Sequence, residues 1–288
     1  MATSSALGPI NEVELPGGRI RYHETGSGSP VVFVHGLLVN ADLWRKVAPG
    51  VAAAGHRCIA PDWPFGAHSI PVPGADLSPT GAADLIAAFL DRLDLHDVTL
   101  VANDTGGAIT QILLTRNRSR IERVVLTDCD AYDEFFPQPF TPLPRLVAIP
   151  GFLRLMVASM VIRPAQRLPI AFGLVAKRHP PAEIVDSYLL PSRKSAGIRA
   201  DLRRFLRGVH KRHTLAAAEQ FPTLDLPVLL VWASEDKAFP LSFAQRLVAD
   251  LPNATLRTID DSFAFIPEDQ PELLTEMIVE FTRLHATP

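Results

Sequence analysis

Short runs of strand-forming residues alternate with segments of helical period along both ends of this 288-residue chain, and that alternation leaves few architectures open. The runs are NEVEL, RIRYHE, PVVFVHG (30–36), HRCIAPD (56–62), VTLVAND (98–104), RVVLTDCD (123–130), PVLLVWASED (227–236) and ATLRTIDD (254–261). NEVEL and RIRYHE flank Pro16-Gly17-Gly18, a turn that only antiparallel strands can use. The later runs are spaced widely enough for crossover helices, which parallel strands require. The pattern predicts an α/β fold with a mostly parallel eight-stranded sheet flanked by helices.

Several helices are legible as well. DLSPTGAADLIAAFLDRL offers Ser78 as N-cap and Pro79 at the first helical position. GGAITQILLTRN, LSFAQRLVADL and PELLTEMIVEFTRL carry apolar residues at helical spacing. The rhythm breaks after the sixth strand, where FFPQPFTPLPRL opens a stretch of helical segments without an obvious strand. The chain therefore divides into a core, 1–130 and 221–288, and an inserted helical cap, 131–220. Within the cap, PGFLRLMVASMVI reads as a short apolar helix facing a core or pocket wall, with a partner or a membrane surface as the alternatives.

Charge narrows the partners. Lys+Arg 28 against Asp+Glu 31 leaves a net charge of -3, so no long-range field points to nucleic acid or an anionic membrane. A small, mainly apolar molecule fits better, and a homodimer is compatible with the composition. Cys58 and Cys129 lack metal-ligand spacing and read as reduced core residues of a cytoplasmic protein. No apolar stretch reaches the roughly 20 residues of a membrane span. No ligand cluster or phosphate-binding glycine loop is present, so neither a metal nor an organic cofactor is expected.

The chemistry concentrates at Ala102-Asn103-Asp104-Thr105-Gly106-Gly107, where a strand runs straight into a helix. Small residues permit the tight bend, and the glycines let the helix pack against the strand. Asp104 is thereby presented at the C-terminal edge of the sheet above a helix N-terminus, whose dipole favours the ionised, nucleophilic form. The plainer alternative is that Asp104 only caps that helix.

With His35-Gly36-Leu37 after the third run and VWASEDKAFP after the seventh, the chain resembles the α/β-hydrolase fold, in its aspartate-nucleophile branch of dehalogenases and epoxide hydrolases. The resemblance implies Asp104 as nucleophile, the N–H groups of Leu37 and Thr105 as oxyanion hole, and Asp236 as catalytic acid, with Asp128 as rival and Asp130 beside it. NADLWRKVAP resembles the first helix. His35, Tyr188, Ala264, Phe265 and Asp130 are the expected pocket residues, although His35 also reads as a structural turn residue.

The pattern is broken where a catalytic histidine is due. Ser262-Phe263-Ala264-Phe265-Ile266-Pro267-Glu268-Asp269-Gln270-Pro271 follows the family phrase except that Ala264 stands in the histidine's place. An ester on Asp104 then lacks its usual base-activated water. His179, His210 and His213 are substitute candidates, and His68 reads as a loop-packing residue. The resemblance to dehalogenases implies a halide-holding Trp after the nucleophile and an Asn or Glu after His-Gly, where this chain has Thr105 and Leu37. Epoxide or ester hydrolysis of a small hydrophobic substrate is therefore expected ahead of dehalogenation. The alternatives are a lyase, isomerase or cyclase using Asp104 as base, and a ligand-binding pseudo-enzyme.

Overall fold

The computed structural model describes residues 2, 4–169 and 171–285. These residues form one eight-stranded sheet in the order β1-β2-β4-β3-β5-β6-β7-β8. β1 (Ile10–Leu15) and β2 (Gly18–Thr25) make the hairpin that Pro16-Gly17-Gly18 requires. β2 pairs antiparallel with β4 (His56–Pro61). β3 (Ser29–Val34), β5 (Val98–Asn103), β6 (Ile121–Thr127), β7 (Val228–Ala233) and β8 (Ala254–Ile259) complete a parallel array with β4. Every residue of β5 and β7 is buried, as expected for central parallel strands covered on both faces.

Helices α1 (Ala48–Ala53), α2 (Pro79–Arg92) and α3 (Thr105–Arg116) follow β3, β4 and β5 in the chain. Ser78 caps α2 by accepting the Gly81 N–H at 3.1 Å, and Pro79 opens the helix, as the sequence predicts. The expected single helix over NADLWRKVAP is instead divided. Asn40 caps a 3-10 turn at Ala41–Trp44, and α1 begins only at Ala48. The reason is Pro49, which fits the first turn of a new helix but would remove a hydrogen bond inside a continuous one.

The described residues of 131–220 contain α4 (Leu143–Leu146), α5 (Phe152–Met160), α6 (Ala182–Lys194), α7 (Ala196–Gly208) and α8 (Arg212–Ala218), and none lies in a sheet strand. The chain then returns through β7, α9 (Leu241–Asp250), β8, α10 (Ile266–Asp269) and α11 (Pro271–Leu284). Asp269 fastens the two parts together, since its carboxylate accepts the Phe263 N–H of the core and the Lys177 and Arg178 N–H groups of the insert.

α3 packs unusually close to the sheet. A Cβ on Gly106 would lie 2.4 Å from the Val34 carbonyl oxygen and 2.6 Å from that of His35. Backbone cannot move aside as a flexible side chain would. Gly106→Ala is therefore expected to cost about 2–4 kcal/mol, read as a lowered denaturation midpoint. A midpoint equal to that of the parent would remove this contact from the account.

Candidate active site

Strand order creates the place for a site. From β3 the sheet grows one way through β4 and the other way through β5, so the chain leaves two neighbouring strands in opposite directions. A crevice opens at the C-terminal ends of such strands. His35-Gly36-Leu37 stands at one end and Asp104 at the other, as the sequence predicts.

Asp104 has φ 57 and ψ -133, a strained backbone for a residue with a side chain. Its N–H donates to the Asp128 carbonyl and its own carbonyl accepts from Gly107, both at 2.9 Å, which holds the bend. Gly36 is required by the same geometry, because a Cβ there would sit 2.7 Å from both Cβ and Cγ of Asp104. Asp104 Oδ1 accepts the Thr105 N–H and, at 3.0 Å, the Thr105 hydroxyl. The capping role is thus real, but it occupies one oxygen only. Oδ2 makes no hydrogen bond among the described residues, nor does the Leu37 N–H.

Above the carboxylate lies a cavity of about 110 Å³. Leu37, Leu38, Thr105, Phe239 and Phe265 line it from the core, and Phe136, Phe140, Met156, Met160 and Phe172 from the insert. The volume is small for a ligand pocket and its walls are almost wholly apolar. Asp104 keeps some accessible surface inside the cavity, yet the surrounding protein strips it of bulk water. Burial therefore pushes its pKa up to about 6, against the lowering effect of the Thr105 bonds, and the charge of Asp236 pushes the same way. Desolvation outweighs the helix dipole expected to keep this group strongly acidic.

Three further acids are buried nearby. Asp128, at the end of β6, accepts the Ala233 N–H at 3.0 Å, and burial with the charge of Asp236 pushes its pKa well up. Asp236, in the turn after β7, accepts the Ala238 N–H at 2.8 Å and is pushed up to about 6 by burial. Beside burial, a side-chain hydrogen bond between the two acts upward on the pKa of Asp128 and downward on that of Asp236, on which the backbone N–H groups of Ala238, Phe239 and Lys237 also act downward. Asp130 lies behind Thr105, with Oδ2 3.4 Å from its hydroxyl, and burial followed by the charge of Asp104 pushes it well up too.

These acids make stability depend on pH in a definite direction. Their folded pKa values lie above the ordinary 3.8, so they cost nothing while protonated in both states and become costly once the folded protein ionises. Stability should fall as pH rises from about 4 through 6, by on the order of 3 kcal/mol for each of Asp104 and Asp236 at full ionisation. Thermal denaturation across that interval checks it, with Asp236→Asn expected to flatten the slope. Identical slopes in parent and Asp236→Asn would contradict the arrangement, since ion-paired carboxylates such as Glu12, Asp261 and Glu280, held below their ordinary values, add an opposite slope common to both.

Of the residues expected in the pocket, Phe265 lines it and His35, Tyr188, Ala264 and Asp130 do not. His35 is wholly buried, with Nδ1 2.9 Å from the Gly36 carbonyl oxygen and Nε2 accepting the Trp63 N–H. Burial lowers its pKa to about 3 and keeps it neutral, which makes it a turn residue. Tyr188 packs behind Phe172, and the charged groups that act on it are Arg45, Glu268 and Asp42 rather than the site acids. Tyr132 donates to Asp250. Ala264 is wholly buried one layer back, where its carbonyl accepts the Asn103 side-chain N–H at 2.8 Å. Position 264 is thereby tied to the residue just before Asp104.

No histidine lines the cavity among the described residues. His179 borders a separate groove with Arg163, Gln166 and Arg167. His210 and His213 interact with Arg212, and His68 is bonded to Asp201 at 3.1 Å. The wall residues Leu38, Phe136, Met156, Met160 and Phe172 are not individually legible in the sequence, where the Phe- and Pro-rich opening of the insert and the apolar helix PGFLRLMVASMVI, read as facing a core or pocket wall, are the hints.

Comparisons with known proteins agree with this architecture. The family model described as the alpha/beta hydrolase fold matches residues 29–171. The haloalkane dehalogenase DatA from Agrobacterium tumefaciens C58 superimposes with a TM-score of 0.79 at 23% identity, covering 99% of this chain and 100% of that one. The protein thus has the α/β-hydrolase fold. Among proteins similar in sequence, the uncharacterized hydrolase YugF of Bacillus subtilis (strain 168) is 26% identical over 96% of this chain and 99% of its own length. Haloalkane dehalogenase 2 of Mycobacterium tuberculosis is 27% identical over 91% of each. Hydrolases, haloalkane dehalogenases included, are thus among the relatives of this chain.

Proposed function

We propose that this protein is a hydrolase of small, mainly hydrophobic electrophiles and that Asp104 is its nucleophile, with 131–220 as the cap over the site. The observation that carries this reading is the division of labour within one carboxylate. Oδ1 is held by the Thr105 N–H, while Oδ2 is left without a partner beneath an apolar cavity. Attack by Oδ2 on an alkyl carbon forms an Asp104 ester, and the leaving atom departs with the bonding electrons. In this reading the Leu37 and Thr105 N–H groups hold the ester's carbonyl oxygen when water attacks it, which is supported by the bond that the Thr105 N–H already makes to Oδ1.

Epoxides and esters are favoured over haloalkanes. No indole or side-chain amide N–H lines the cavity among the described residues, so a departing halide finds little stabilisation. A strained ring has less need of such a donor, since its oxygen stays attached to the alkyl ester and takes its proton from water. An ester substrate attacked at its acyl carbon instead gives an Asp104 anhydride, its alcohol leaving after protonation by water, and water then hydrolyses the anhydride. The second half of the reaction requires a base, and Asp236, which stands behind the cavity lining and not in it, is the group we assign to it. Its pKa of about 6 leaves it ionised at neutral pH, and Asp104 senses its charge. A carboxylate is a weaker base than an imidazole, so breakdown of the ester should be slow.

One observation favours a second reading. A carboxylate with a pKa of about 6 in an apolar enclosure suits proton abstraction as well as attack on carbon. Intact-mass measurement during exposure to epoxides, esters and haloalkanes separates the two. The first reading expects a covalent increment on the Asp104 peptide together with slow turnover. Turnover with no increment at any time supports proton transfer, and the absence of both rejects an enzymatic role.

A further inference from the structure

We infer that the outer face of α5 and its flanks is a docking surface for an anionic lipid bilayer. Between Glu134 and Glu183 the chain contains no carboxylate side chain, whereas Arg145, Arg154, Arg163, Arg167, Lys177 and Arg178 all fall inside that interval. A net charge of -3 for the whole chain conceals this segregation. Arg163 is paired with Asp186, and Lys177 and Arg178 with Asp261. Arg145, Arg154 and Arg167 are exposed and form no ion pair among the described residues.

The same segment displays large apolar side chains to solvent. Leu155 is 71% exposed, Ile162 59%, Ile149 52% and Leu168 47%, while the other large apolar residues with comparable exposure, Ile10, Leu273 and Leu284, are scattered through the sequence. Leu155 lies on α5, and Ile162 follows two residues past the end of that helix. Leu153 and Val157 of α5 are buried, and Met156 and Met160 line the cavity above Asp104. One layer of helix thus separates the apolar cavity from the apolar patch.

Exposed aliphatic side chains interspersed in the sequence with exposed, unpaired arginines match a bilayer surface chemically. The apolar groups enter the acyl boundary while the arginines reach the phosphates with their stems lying along it. A second copy of the chain is a poorer occupant, because symmetric contact would set Arg145, Arg154 and Arg167 of each copy against like charges. Lipid docking would also place the cavity wall against the phase in which hydrophobic molecules concentrate. The inference is independent of the chemistry at Asp104.

Sedimentation of the full chain with sucrose-loaded vesicles tests it. At low ionic strength the protein should pellet with phosphatidylcholine–phosphatidylglycerol vesicles and stay in solution with phosphatidylcholine alone, each unpaired arginine contributing about fivefold in affinity. Combined Arg145→Glu, Arg154→Glu and Arg167→Glu should lower binding by more than about 100-fold. Leu155→Ser with Ile162→Ser, which leaves charge unchanged, should lower it by at least about tenfold. Asp104→Asn should bind as the parent does. These surface variants should keep the parent's melting midpoint. The proposal is overturned if anionic vesicles fail to pellet the chain, or if the serine variant binds as tightly as the parent. It is also overturned if poly-glutamate competes as well as vesicles do, or if the free chain is a dimer that Leu155→Ser dissociates.

Discussion

Asp104→Asn should lower kcat/KM by about 10³–10⁴ or more on whichever electrophile is turned over, and should abolish any covalent increment. The substitution preserves nearly everything except the charge. Asparagine tolerates the positive φ of 57 better than most residues, and its carbonyl oxygen can still accept the Thr105 N–H that caps α3. Removing a charge from a dehydrated cluster of acids should also make the variant at least as stable as the parent above pH 7. The combination of lost activity with kept or gained stability is diagnostic. Steady-state kinetics and thermal melting on the same samples measure it, and retained turnover would exclude Asp104 from the chemistry.

Ala264→His should have the second largest effect, and in the opposite direction. The bond from Asn103 to the Ala264 carbonyl at 2.8 Å places residue 264 beside the strand end that delivers Asp104. The neighbourhood of that strand end holds Asp104, Asp128 and Asp236, three acids that burial pushes upward in pKa, and no cation is among the described residues lining the cavity. The protonated form of an imidazole at position 264 would gain their attraction, which should lower their pKa values. Its neutral form would take a proton from water. A positioned base of this kind contributes about 10²–10⁴-fold. Breakdown of the Asp104 ester should accelerate by that factor in single-turnover experiments, while formation of the ester changes little. Equal breakdown rates in parent and variant would show that the parent already holds an adequate base. Since Ala264 is wholly buried, the fold of the variant has to be checked by its melting midpoint.

The architecture was legible because each strand is short, apolar and bounded by turn chemistry, a local property. VTLVAN and VLLVWA read as strands and Ser78-Pro79 as a helix start, and the structure places all three so. Pro49 shows the limit of that approach: NADLWRKVAP has helical period throughout, yet one residue without an N–H divides it. The bend at Asp104 was legible too, since small residues and glycines announce a close approach before any contact is known. Pocket membership was not. Tyr188 and His35 are polar residues near the right elements, but the first turns behind Phe172 and the second is consumed by its own turn.

By itself, then, the order of residues determined a parallel sheet with an interrupting helical segment, an aspartate at a sharp bend, and an alanine in the phrase where a base is due. Those features depend on neighbours along the chain, whose steric and hydrogen-bonding demands are local. Only the tertiary structure decided that Asp104 keeps one oxygen free under an apolar roof, that Asp128 and Asp236 act on each other, and that Leu155 and Ile162 point outward while Met156 and Met160 point in. Desolvation and proximity set those outcomes, and both depend on which distant segments the fold brings within a few ångströms.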